Sequence, residues 1–233
     1  MASTEAWTDL LAADRGLLDR TSTVERVADV LRQRIIDGAL APGTRMSEES
    51  VGKALEVSRN TLRESFRLLV HERLLVHEMH RGVFVRVLTA EDVVDLYRVR
   101  RLLEIGAVRS ADTATPDRVA ALDEAVSQGE HAMAQHRWHD VGTANMRFHQ
   151  AVAGLAGSPR VDEWMRQVLA ELRLAFHVMA PLREFHEPYL ELNRTLTELI
   201  AAGELAEAER RLVSYFDTAE AQLVGAYREQ VGA

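Results

Sequence analysis

The stretch EVSRNTLRES, Glu56 to Ser65, sets two arginines four residues apart behind a serine and directly ahead of the apolar run FRLLV. Ser58 suits a helix N-cap, because its side-chain oxygen can accept one of the backbone N–H groups left open where a helix starts. On a helix that begins there, the 100° step places Leu62, Phe66 and Leu69 on one strip and Arg59, Arg63 and Arg67 on the strip beside it. The apolar strip predicts an anchor in a core. Taken alone, the arginine strip reads as a solvated helix face; its neighbours change that.

Upstream, residues 23 to 37 carry Val27, Val30, Leu31 and Ile35 at helical spacing, and Gly38 follows as a C-cap. A Pro-Gly turn leads to Ser47, an N-cap with Ser50 rather than Glu or Gln three residues on, so the cap comes without a capping box. A short helix from about Glu48 to Leu55 is parted from the longer one, which runs to about Glu72, only by Glu56 and Val57. Two helices across so tight a turn make a helix-turn-helix, about 48–67. Downstream, LLVHEMHRGVFVRVL has β-branched residues on both sides of Arg81-Gly82 and predicts a hairpin turning there. Three helices and a hairpin are the parts of a winged helix, spanning 21–88 after an N-terminal extension, 1–20.

Beyond Leu88 only helical patterns remain, punctuated at Thr115-Pro116, Gly142, Gly157-Ser158-Pro159, Pro181, Pro188 and Gly203. They predict about six helices in an antiparallel bundle over 89–233. The fold class is therefore mostly α: a winged helix-turn-helix followed by an all-α bundle.

A helix N-terminus with an adjacent arginine strip suits DNA. The guanidinium fork can bond O6 and N7 of guanine together or clamp a phosphate, and the helix end adds partial positive charge. Asn60 and Thr61 at the same end are short polar side chains able to reach base edges or phosphates.

IIDGALAPGTRMSEE, VSRNTLRESFRLL and HRGVFV together resemble the winged-helix domain of GntR-type bacterial transcription regulators. DLYRVRRLLE, NMRFHQAVAGLAGSPR and LNRTLTELIAAGELAEAERRL are similar to the ligand-binding (FCD) domain of their FadR-like branch. The ordered succession of motifs covers nearly the whole chain after the first twenty residues. The resemblance implies DNA contacts from Arg59 and Arg63, neighbouring contacts from Asn60 and Thr61, and a wing tip at Arg81-Gly82; Ser58 at the cap and Arg67 on the arginine strip join them as candidate DNA-binding residues. One position departs: Glu49 stands where the branch carries an arginine and would repel phosphate, with Lys53 one turn later as a partial replacement. It further implies a homodimer on a pseudo-palindromic operator of double-stranded DNA, and a ligand-responsive repressor released by a small organic acid.

In metal-containing members of this branch, an aspartate and a histidine four apart join two later histidines around a divalent cation. Here those positions match Asn145, His149, Asn193 and Tyr215. Amides and a protonated phenol are poor zinc ligands, so one strong donor out of four predicts no tightly held metal. The same side chains could line an effector pocket or form a polar network satisfied inside the bundle. Arg100 is the candidate cation for an acidic effector, a surface salt bridge its alternative. His136 and His139 fit a surface junction, and His177 fits a satisfied core position.

Composition bounds the rest. The 233 residues carry a net charge of -8, yet Thr21–Leu88 is net +2 and Thr89–Ala233 net -8, a split that suits modules with different partners. The absence of cysteine excludes disulfides and fits a reducing compartment. Acidic residues in the first twenty and the lack of any run near the roughly 18 apolar residues of a membrane span point to a cytoplasmic protein. No nucleophile elbow, phosphate loop, H-E-x-x-H or dinucleotide fingerprint occurs, so nothing favours an enzyme. The rivals to an organic-acid-responsive repressor are a metal-sensing regulator of the same architecture and, more remotely, a bundle enzyme using His149 as general base.

Overall fold

The computed structural model describes residues 15–36, 38–179 and 182–232. Asp37, Pro181 and the first fourteen residues of the expected extension lie outside them. The chain divides into two compact units, Met1–Val87 and Leu88–Ala233.

In the first unit, α1 (Arg15–Ile36) precedes β1 (Arg45–Met46), α2 (Glu48–Leu55), α3 (Arg59–His71), β2 (Leu75–Glu78) and β3 (Gly82–Val85). α1 starts inside the segment set apart as an extension, because the helix outruns the apolar stripe from which it is legible. Val27, Leu31 and Ile35 are buried as their spacing predicts; Val30 is exposed, and Ala28 takes the buried place. Leu62, Phe66 and Leu69 from α3 close on them together with Leu74, Leu75 and Val85, each large side chain contributing about 1.5–3 kcal/mol. Two polar ties fix α3 against α1: the Ser65 hydroxyl donates to the Val24 carbonyl at 2.8 Å, and Arg32 clamps Glu72 through two bonds of 2.7 Å.

β2 and β3 form the expected hairpin, with Glu78 opposite Gly82. Its turn is centred on Met79-His80, ahead of the expected Arg81-Gly82: the Arg81 N–H bonds the Glu78 carbonyl, His80 takes the left-handed conformation at φ 62°, and Gly82 opens β3. β1 was not legible, since two residues carry no alternation; it pairs with β3 and gives the order β1-β3-β2.

The second unit begins with α4 (Ala90–Arg100), capped by reciprocal Thr89 and Asp92 bonds. A π-helical turn at Arg101–Ile105 carries it into α5 (Gly106–Arg109), and the short helix Ala111–Thr113 follows. Then come α6 (Pro116–Ala134), α7 (Trp138–Gly154), α8 (Pro159–Ala175), the 3₁₀ turn Phe176–Val178, α9 (Leu182–Ala201) and α10 (Leu205–Gly232). With α4 to α5 counted as one interrupted rod, the described residues of the unit contain six long helices. Thr115-Pro116, Gly157-Ser158-Pro159 and Gly203 mark helix boundaries as predicted. Two other signals do not: α9 runs through Pro188, and Gly142 lies buried inside α7. Gly142 is there for close packing, because a Cβ would meet side-chain nitrogens of Arg173 and His186 under 3 Å away. No helix among the described residues is long and apolar enough to cross a membrane.

Candidate functional site

The surface of the first unit is organised by one cap. The Ser58 side chain accepts the Thr61 backbone N–H at 3.1 Å, and the two hydroxyls lie 2.8 Å apart, so the first turn of α3 is pinned. Arg59 and Asn60 stand exposed on that turn, beside the backbone N–H groups of the helix start that the cap leaves open. Arg63 is exposed and donates to Glu48 on α2 at 3.0 Å; Arg67 pairs with Glu64 at 2.6 Å. Arg81 at the wing pairs with Glu78 and stacks on Phe84 at 5.5 Å. Of these arginines only Arg59 has no carboxylate partner among the described residues. These exposed pairs cost little to exchange for phosphate, since such bridges are worth at most about 1 kcal/mol. A groove of about 470 Å³ runs between α3 and the wing, lined by Arg63, Arg67 and His77 among others. Lys53 and Glu49 are both exposed on α2. Gly82 sits at φ 113°, a conformation open to glycine, where Arg45 approaches.

In the second unit the predicted effector residues do come together, but as a packed chain. Arg100 Nε donates to Glu104 at 2.9 Å; the other carboxylate oxygen lies 2.6 Å from Nδ1 of His149. Nε2 of His149 is 3.0 Å from the Tyr215 hydroxyl, which is 3.0 Å from Oδ1 of Asn145; Asn193 donates to that same oxygen at 2.7 Å. Arg100, Glu104, His149, Asn193 and Tyr215 are all buried. Burial pushes the Glu104 carboxyl up, but Arg100 and His149 outweigh it and hold it below the usual carboxylate range. Burial and Arg100 together depress His149, outweighing Glu104, so a neutral imidazole donates through Nδ1 to a carboxylate. Burial lifts Tyr215 well above an ordinary phenol. Its single proton is shared between two acceptors.

Glu104 is the residue that the sequence reading missed, although the i, i+4 spacing from Arg100 was in plain view. It changes the role expected of Arg100. That guanidinium is neither a surface salt bridge nor an open carboxylate clamp: it is buried on Glu104 and stacked on Tyr97 and Phe216 at 4.9 and 4.7 Å, with Nη2 unpartnered. The π turn that carries Glu104 is itself a feature common at functional sites.

A metal does not fit this chain of groups. His149 is the strong donor, and both its nitrogens are engaged; Asn145 and Asn193 offer neutral amides bonded to each other, and Tyr215 keeps its proton. Among the described residues no three His, Asp or Glu side chains are placed to share an ion. Elsewhere, His136 is exposed as expected and His139 half-buried. His177 is exposed on the turn after α8, not in the core: the apolar helix ends at Ala175 and the 3₁₀ turn swings it outward. Further buried groups went unread, among them Arg173 and His186. The signal for His186 was the triplet His186, Tyr189, Asn193 on one helical face.

A capped helix bearing an arginine strip, braced by a short helix and followed by a hairpin wing, defines the class of winged-helix DNA-binding regulators, here joined to an all-helical unit. Residues 23–85 match the model of bacterial regulatory proteins of the gntR family, and residues 95–218 match the FCD domain. The chain belongs to the GntR family of transcription regulators with an FCD domain, as its motifs implied. Such proteins are DNA-binding regulators, not enzymes. Over 88% of its length it superposes on 99% of a GntR transcriptional regulator from Rhodococcus sp. RHA1, with TM-score 0.83 and 47% identity. The Nta operon transcriptional regulator of Aminobacter aminovorans is 29% identical over 67% of this chain and 75% of its own. The gluconate operon transcriptional repressor of Bacillus subtilis is 38% identical over 37% of this chain and 35% of its own.

Proposed function

We propose that the protein is a homodimeric repressor that binds a pseudo-palindromic operator through α3 and its wing and is released by a small organic acid taken up in the helical unit. The observation that carries the DNA reading is the pinned first turn of α3, which presents Arg59 and Asn60 in the open beside free helix N–H groups. In this reading Arg59, Asn60 and Thr61 read bases, Arg63 and Arg67 exchange Glu48 and Glu64 for phosphate, and Arg81-Gly82 touches the backbone from the wing. Repression agrees with the name of the gluconate operon repressor, and control of a particular operon with the names of both the Nta and the gluconate relatives. An effector acts by binding the DNA-competent and DNA-incompetent states with different affinity.

The test is an anisotropy titration on the DNA upstream of the protein's own gene. Arg59→Ala should lose about 1–3 kcal/mol of specific binding while leaving non-specific binding nearly intact. Binding should weaken steeply with salt. Undiminished specific binding by Arg59→Ala would remove this residue from recognition.

A further inference from the structure

The face of α7 that carries Asn145 and His149 starts one turn earlier at Gly142, and the face of α9 that carries Asn193 starts at His186; both follow the same i, i+3, i+7 spacing. The missing side chain at Gly142 makes room for two others. A Cβ there would lie 2.6 Å from Nη1 of Arg173 and 2.7 Å from Nε2 of His186. A guanidinium nitrogen and an imidazole nitrogen therefore converge on one point against bare backbone. Arg173 reaches it from α8, with its other terminal nitrogen 3.0 Å from Nε2 of His139 and 3.3 Å from the His139 carbonyl.

His186 is 2% exposed, and neither of its ring nitrogens has a hydrogen-bond partner. Folded proteins rarely leave such a group unmet, because each buried unpaired donor or acceptor costs about 1–3 kcal/mol. The walls around it are aromatic: Phe176 lies edge-on at 5.4 Å and Phe185 at 5.0 Å. Burial, then Arg173 and His139, pull the His186 pKa down to about 4, so the imidazole is neutral there. A cation would meet the Arg173 charge. An oxyanion would be attracted by it and could accept the imidazole N–H.

We propose that Arg173 and His186, seated on Gly142, form the subsite for the carboxylate of a small organic acid whose apolar body lies against Phe176 and Phe185. The proposal rests on the helical unit being the effector-binding part of the molecule. It gives the acid-binding role to the Arg173–His186 pair; Arg100 lies buried on Glu104.

The experiment uses the full-length protein with ¹⁵N-labelled histidine and three probes: benzoate, benzamide as the uncharged body of the same shape, and acetate as the charge without the body. Benzoate is expected to shift the His186 ring signals and to raise the thermal midpoint. Acetate should shift the same signals more weakly and benzamide should leave them in place. Arg173→Gln should weaken benzoate roughly tenfold or more. If that variant does not fold, the wild-type titration still decides, and His186→Gln supplies a second variant. The proposal falls if neither acid moves His186, if benzoate and benzamide act alike, or if benzoate moves His149 alone. No DNA is present in the titration, so its outcome is separate from that of Arg59→Ala on the operator: either result can fail while the other stands.

Discussion

At the scale of single residues, two glutamates carry opposite expectations. Glu49 is exposed on α2 with Lys53 exposed one turn later. If α2 lies along the DNA backbone, a carboxylate there opposes phosphate. Glu49→Arg should tighten operator binding and steepen the fall of log K with log salt by about one, the increment of one added phosphate contact. A salt titration by anisotropy measures both, and an unchanged slope would place Glu49 off the phosphate path. Glu104 is needed where it stands. Glu104→Ala strands the Arg100 charge in a fully buried position and should cost about 3–5 kcal/mol in urea unfolding. A loss under 1 kcal/mol would mean that the pair contributes little. The sequence showed the other members of this polar chain, Arg100, His149, Tyr215, Asn145 and Asn193, but not the carboxylate that joins Arg100 to His149. The π turn is what brings Glu104 to both at once, and that register shift leaves no mark on apolar spacing.

At the scale of elements, α3 is where local chemistry and function meet. The Ser58 cap holds the turn that bears Arg59, Asn60 and Thr61. Ser58→Ala should cost about 1 kcal/mol of stability in the winged-helix unit. It should also lower operator affinity in a fully folded protein, because the fraying turn is the one proposed to read DNA. Ser58→Asp would keep the cap yet add a negative charge beside phosphate, so stability without affinity is its expected signature. Thermal melts paired with binding titrations separate the two effects. α2 and α3 were legible to the residue at α2 and within one at α3, because caps, a tight turn and a dominant apolar strip all agree there. Where only one signal acted, legibility failed. Gly142 and Pro188 read as breaks although both helices run on through them, and β1 is too short to show a period.

At the scale of the whole molecule, the two units bury different chemistry and should respond differently to acid. Among the described residues, Ser65 is the buried polar side chain of the first unit, while Arg100, Glu104, His149, Glu171, Arg173 and His186 are buried in the second. The pKa shifts of His149 and His186 are downward, driven first by burial. The folded state therefore binds fewer protons than the unfolded chain once pH drops below the ordinary histidine value, and stability falls as pH falls. For His186 the window runs from 6.5 down to about 4 and amounts to about 2 kcal/mol between neutrality and pH 5. Glu104, held low, adds its loss further into acid, with the same sign. Urea unfolding of the helical unit, followed through Trp138 and Trp164, should thus shift to lower midpoint at pH 5, while the winged-helix transition seen by circular dichroism moves less. His186→Gln should flatten the helical unit's pH slope over that window. An equal slope in wild type and variant would show that His186 does not supply it.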